Sequence, residues 1–279
     1  MQRSAEKSYG KWDSLTTAAQ GAFLDRVPAA YYDRGRNPRT FPMDPSSSSG
    51  ADLYVSGEYA ERNPGYHTDD SPWKARQILR MLERHSLRPA AVCEVGCGAG
   101  EVLHQLQQHL PPGTRLHGYD VSPQAIALCR QRESEHLAFT CAGLPPAAEG
   151  PFDLLLCIDV FEHVEDYRGF LRDLRTVAGR VLFHIPLDLS VQTVLRAWPI
   201  NEARARSGHL HYFTKDTALQ ALRDTGYQVE DWFYTAGGVD LGRSWKARLA
   251  KWPRAALAKV QPDLAARLLG GYSLLVLAK

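Results

Sequence analysis

From Ala90 to Pro186 the chain alternates short apolar runs with segments of helical spacing. The runs AAVCEVG (90–96), TRLHGYDV (114–121), HLAFTCA (136–142), FDLLLCID (152–159) and RVLFHIP (180–186) read as buried strands. Ahead of them, SPWKARQILRMLERHSL (71–87) puts Trp73, Ile78, Leu79 and Leu82 at helical spacing behind a Ser-Pro pair suited to a helix start. Residues 100–109, 122–133 and 166–177 predict further helices, the first stopped by Pro111-Pro112-Gly113. The order β-α-β-α-β-β-α-β calls for an α/β fold with a parallel sheet and helices on both faces. Beyond it come a helix over 214–225 closed by Gly226, a strand over 227–235 and a strand over 271–278. That makes seven strands. Residues 242–269, broken at Pro253 and Pro262, read as a helical insert before the last strand.

The first 70 residues carry no such rhythm. A short helix is expected from Ser14 to Val27, and PSSSSG (45–50) reads as a loop. Tyr31, Tyr32, Phe41, Tyr54, Tyr59 and Tyr66 suggest that this stretch packs over something else. The expected organisation is a partly flexible extension or lid over 1–70 and one domain over 71–279. Regular order is expected from about Ser71.

Composition changes this picture little. The chain has 279 residues, 44% hydrophobic and 23% charged, enough for one large domain. A formal charge of +2 is too weak to imply a nucleic-acid partner. The five cysteines form no CxxC pair and read as reduced core thiols. The N-terminus has no apolar signal region, and no apolar run is long enough to span a bilayer, so a soluble cytoplasmic protein is expected.

Chemistry enters at VCEVGCGAGEV (92–102), where a strand meets Gly96, Gly98 and Gly100. Such a loop lets backbone come close to a ligand. A triphosphate loop needs a Lys-Ser/Thr pair that is missing here. A dinucleotide loop wants a small residue at position 101, which is Glu101. Glu94, just before the loop, suits a ligand with an ammonium group. Asp120, at the end of the next strand, suits ribose hydroxyls; it fits a dinucleotide equally well, and could instead cap the following helix.

EVGCGAG, then GYDVS, then FDLLLCIDVFEHV resembles the class I S-adenosylmethionine-dependent methyltransferases, and is most similar to the small-molecule branch that includes ubiquinone-type O-methyltransferases. The resemblance covers about Trp73 to Phe213. It implies a Rossmann-like, seven-stranded, mostly parallel sheet of order 3-2-1-4-5-7-6, with the last strand antiparallel. It implies S-adenosyl-L-methionine as cofactor and S-adenosyl-L-homocysteine as product. Glu94, Gly96, Cys97, Gly98 and Gly100 would hold the methionine part, Asp120 the ribose and Val121 the adenine. Backbone at Ala142 or Gly143 would meet the adenine amine, and Cys157 and Asp159 would lie beside the transferred methyl.

Methyl transfer to a hydroxyl with a high pKa needs a base. His163 in FEHVED, and His209 and His211 in SGHLHYFT, are the candidates, each with a structural hydrogen bond as the alternative. His184 could face either the core or the site. The His209–His211 spacing lacks further metal ligands, so no metal is expected. Tyr66, His67, Trp73 and Lys74 are candidates for covering cofactor and substrate. The insert 242–269 is rich in bases and tryptophan, which suits a peripheral membrane contact or a solvated face over the pocket. The expected acceptor is a small molecule methylated at O or N, a natural-product, sugar or lipid-linked intermediate, by a monomer or homodimer. The alternatives are an RNA or protein methyltransferase, disfavoured by IDVFEH where base-amine methylators carry Asn/Asp-Pro-Pro-aromatic, and a non-catalytic cofactor-binding regulator.

Overall fold

The computed structural model describes residues 50–66, 68–146, 149–237 and 257–279. His67, the expected helix at 14–27, the loop at 45–49 and the insert residues 242–256 lie outside them. Short strands alternate with helices: α1 (Gly50–Val55), α2 (Glu58–Arg62), α3 (Ser71–Arg84), β1 (Ala91–Val95), α4 (Glu101–Gln107), β2 (Arg115–Asp120) and α5 (Pro123–Cys129) come first. Then follow β3 (Leu137–Cys141), β4 (Leu154–Ile158), α6 (Tyr167–Leu174), β5 (Val181–Pro186), α7 (Val191–Arg196) and α8 (Trp198–Glu202). The chain continues through α9 (Lys215–Asp224), β6 (Val229–Thr235), α10 (Pro262–Leu269) and β7 (Ser273–Ala278).

All seven strands form one sheet of order β3-β2-β1-β4-β5-β7-β6. β1 to β5 pair in parallel, and β7 runs antiparallel between β5 and β6. The apolar runs are buried on both faces because helices cover both. Along β4, Leu154, Leu156 and Ile158 enter the core that holds Ile78 and Leu103, while Leu155 and Cys157 enter the one that holds Leu171 and Phe183. That two-residue alternation corrects the expectation for Cys157: it points into the second core, not toward a ligand.

Two regions differ from the sequence reading. Order begins before Ser71, because α1 and α2 are pinned by polar contacts far along the chain. The Tyr54 hydroxyl donates to the Ser207 carbonyl at 3.2 Å, Arg62 to the Ala205 carbonyl at 2.7 Å and Asn63 to the Arg206 carbonyl at 3.1 Å. No periodicity within 50–66 could signal those partners. The stretch 187–208, which showed no pattern, holds α7, α8 and a π-helical turn (Ala203–Ser207). α7 starts at a reciprocal cap between Ser190 and Thr193 that uses two hydroxyls instead of the Ser-x-x-Glu form.

Candidate active site

The strand order reverses between β1 and β4, so the connections after them leave in opposite directions and open a crevice at the carboxyl ends of the parallel strands. A cavity of about 810 Å³ lies there. Its wall takes Gly96, Asp120, Asp159 and Pro186 from the ends of β1, β2, β4 and β5. Tyr54, Tyr59 and Tyr66 from α1, α2 and the following turn close another side.

The glycine loop is held from within. The Gly96 and Cys97 amides donate to the Tyr119 carbonyl, and the Gly100 amide to the Cys97 carbonyl. Gly98 donates to Asp120 Oδ2 at 2.8 Å, and Ser122 to Asp120 Oδ1 at 2.8 Å. These loop amides are therefore not turned outward as a phosphate nest. Gly98 sits at φ 53° in the cavity wall. Gly100 does not line the cavity; at φ 77°, a Cβ on it would meet the Phe139 ring at 2.5 Å, so its role is close packing. Glu101 turns away to Arg132 at 2.7 Å and Gln105 at 2.8 Å. The cap of α5 is Ser122, whose Oγ accepts the Ala125 amide, which leaves the outer lone pairs of Asp120 facing the cavity wall it lines.

Glu94 is 2% exposed yet lines the cavity, and its Oε2 has no partner. Burial pushes its pKa well above the usual carboxylate range, against the attraction of Lys74. A buried carboxylate oxygen without a donor is what an ammonium group would complete. Val121, Ala142 and Gly143 line the cavity around β2 and β3 as a shallow apolar slot. Cys97 also lines it. The residues present thus fit a nucleoside that carries an amino acid.

Lys74 lies across the floor, 2.9 Å from Asp159 and 3.3 Å from Asp70. Burial disfavours its charge, but the two carboxylates outweigh that and hold its pKa above the usual range. Asp159, at φ 54°, also receives His184 Nδ1 at 2.6 Å, and His184 Nε2 meets the Thr235 hydroxyl at 2.8 Å. Burial alone would raise the Asp159 pKa; His184 and Lys74 reverse this and depress it strongly. His184 is accordingly a core residue that braces the site. Trp73 stands edge-on to it, ring centroids 6.1 Å apart, and does not line the cavity.

At the other end, Glu162, His163 and His209 converge. Glu162 is fully buried, neither carboxylate oxygen accepts a hydrogen bond although His163 Nε2 lies 3.7 Å from Oε1, and burial pushes its pKa well up, with Asp159 adding to the effect. Its carbonyl accepts the Leu210 and His211 amides, which fixes the two segments together. Burial and then His209 depress the His163 pKa to about 4, so this imidazole is neutral at neutral pH. His209 Nδ1 donates to Asp188 at 2.7 Å, and its ring stands edge-on to His163 at 4.8 Å. One ligand atom from each of Glu162, His163 and His209 falls within 4.8 Å of the others, a set that could take a small cation, although the sequence reading expected no metal. His211 is not part of this group. Its Nε2 bonds the Val164 and Glu165 carbonyls at 3.0 and 3.2 Å, outside the cavity, as a loop clasp.

Sequence reasoning brought the glycine loop, Asp120, Lys74, Asp159, His163 and His209 to the cavity and missed Asp70, Asp188 and the weight of Glu162. Asp70 had a readable signal, four residues before Lys74. Asp188 had none, because its partner is 21 residues away.

The profile of the methyltransferase domain family matches residues 67–231. The chain is 28% identical over 182 residues to a ubiquinone biosynthesis O-methyltransferase of Xanthomonas euvesicatoria pv. vesicatoria, covering 58% of this chain and 75% of that enzyme. It is 27% identical over 114 residues to norajmaline N-methyltransferase of Rauvolfia serpentina, covering 38% of each. In fold it is similar to the N-methyltransferase NodS of Bradyrhizobium japonicum, solved with S-adenosyl-L-homocysteine, at TM-score 0.50 and 18% identity over 83% of this chain and 98% of that one. With a match over more than half of its length, the chain belongs to the methyltransferase domain family and is an S-adenosylmethionine-dependent methyltransferase.

Proposed function

We propose that the protein moves the methyl group of S-adenosylmethionine to an oxygen or nitrogen of a small molecule. The observation that carries this is Glu94: a buried carboxylate with a bare oxygen, beside a glycine loop whose amides are spent internally. In this reading Glu94 takes the cofactor's ammonium, Asp120 its ribose hydroxyls, and Val121 with Ala142 and Gly143 its base. Lys74, braced by Asp70 and Asp159, sets the floor. The cofactor supplies the electrophilic carbon when bound, so the protein's task is alignment and handling of the acceptor's proton.

His209 is the base in this reading. Asp188 accepts from Nδ1, which leaves Nε2 without its proton and able to accept one at the cavity wall. His163, held neutral, orients the acceptor. Tyr66 and Tyr59 form the lid side. The relatives matched above are named for ubiquinone biosynthesis and for norajmaline, which supports a small-molecule acceptor.

Calorimetry with S-adenosylmethionine, S-adenosyl-L-homocysteine and NAD tests the cofactor assignment. Binding of the first two and not of NAD is expected; binding of NAD alone would overturn it.

A further inference from the structure

The cavity's outer wall is flanked by an apolar face that nothing in the described residues covers. On α7 and α8, Val191, Val194, Leu195 and Trp198 are open to solvent, Leu195 at 77% and Trp198 at 52%. α10 packs against α7 and adds Leu264 and Leu268, with Val260 just before it at 75%. Elsewhere among the described residues only Val55, Val121 and Leu128 are comparably exposed, and they are scattered. Single exposed apolar residues are ordinary; a cluster of this kind marks an interaction surface.

The charge around the cluster selects the partner. Arg196, Arg204 and Arg206 are exposed against one exposed carboxylate, Glu202. Lys259 lies just before α10, and Arg267 within α10 is paired with the exposed Asp216 at 2.6 Å. In sequence, the stretch that leads into α10, residues 241–262, carries six bases and no acidic residue. Apolar side chains ringed by bases, with tryptophan among them, suit the headgroup region of an anionic bilayer.

The position adds a reason. α7 begins five residues after Pro186 and α10 ends four residues before Ser273, and Pro186 and Ser273 are paired in the sheet and line the cavity. The π-helical turn after α8 ends at Ser207, also in the cavity wall. The face therefore adjoins the cavity wall through Pro186, Ser207 and Ser273.

We propose that the face formed by α7, α8 and α10 docks on an anionic lipid bilayer, so that an acceptor with an apolar anchor reaches the cavity from the membrane surface. The docking itself does not depend on the cofactor assignment. The test is flotation of the full chain with vesicles of phosphatidylcholine and phosphatidylglycerol, and with phosphatidylcholine alone. Retention on the anionic vesicles at low salt, lost in 1 M salt, is expected. The double variant Leu195→Glu/Trp198→Glu should float at least tenfold less while its melting temperature and its affinity for S-adenosyl-L-homocysteine stay those of the wild type. No retention of the wild type overturns the proposal, as does retention that the double variant leaves unchanged. A concentration-dependent dimer that the double variant abolishes, without vesicle binding, would assign the face to a second copy instead and equally overturn it.

Discussion

At the glycine-loop end of the cavity the loop and Asp120 hold one another, with Asp120 taking two amides and the Tyr119 carbonyl two more, and a single oxygen, Glu94 Oε2, is left open. At the Glu162 end a fully buried carboxylate accepts no hydrogen bond on either oxygen, and His163 Nε2 lies 3.7 Å from its Oε1. The first end is a rigid cradle made by one stretch of chain and its neighbour strand. The second is assembled from residues near 54, 162, 188 and 207, and stores electrostatic tension that an acceptor or cation can relieve. Under the proposed function, a ligand common to the family falls to local backbone geometry, and the acceptor particular to this chain falls to a convergence of distant side chains.

The bridge between the two ends should be the most sensitive point. Lys74→Met leaves Asp159 and Asp70 facing a bare floor, and a buried pair broken on one side costs about 3 kcal/mol or more. Thermal melts should show a drop that Asp159→Asn largely restores in the double variant. An unchanged melting temperature would dissolve the link between the ends.

Next comes the pH response of the acceptor end. His163 titrates near 6.5 when unfolded and about 4 when folded, so the unfolded chain binds more protons between those values. The stability tied to it is full above pH 6.5 and is lost as pH falls toward 4, up to ~3 kcal/mol. His163→Asn should flatten that slope in urea titrations.

The cradle is tested by binding. Asp120→Ala should weaken S-adenosyl-L-homocysteine about a hundredfold, ~2.7 kcal/mol, by calorimetry. Glu162→Gln should change that affinity by less than about twofold. Equal losses in both would mean the two ends are one site.

The smallest effect is a gain. Burial raises the folded pKa of Glu162, so the stability tied to it is complete below about pH 4.5 and erodes as pH rises through the folded value. At pH 8, Glu162→Gln should therefore be more stable by about 1 kcal/mol, a rise of about 2–4 °C in a melt. A fall would show that Glu162 is satisfied in solution.

Much of this molecule was readable in advance where the determinants are local. The seven strands lie within two residues of their expected bounds, because alternation of apolar runs and helices repeats at short range. The cradle was readable for the same reason: Glu94, Gly98 and Asp120 sit on consecutive strand ends. Cys157 and Gly100 were assigned to the ligand by position, and the structure gives both to packing, since strand alternation and the Phe139 ring decide where they face. The acceptor end was hardly readable. Nothing near Asp188 announces His209, and nothing in 191–202 announces two helices whose apolar side chains stay outside.

The antiparallel strand has a consequence for how this sheet comes into being. β6 touches the sheet only through β7, and β7 lies between β5 and β6. A chain emerging from the ribosome can close the first five strands early, but β6 must wait, made and unpaired, until residues 273–278 appear. The glycine loop and the Asp120 contacts that hold it can thus be complete while one flank of the sheet is still open. Shortening the chain before Ser273 would remove a middle board of the floor instead of its edge.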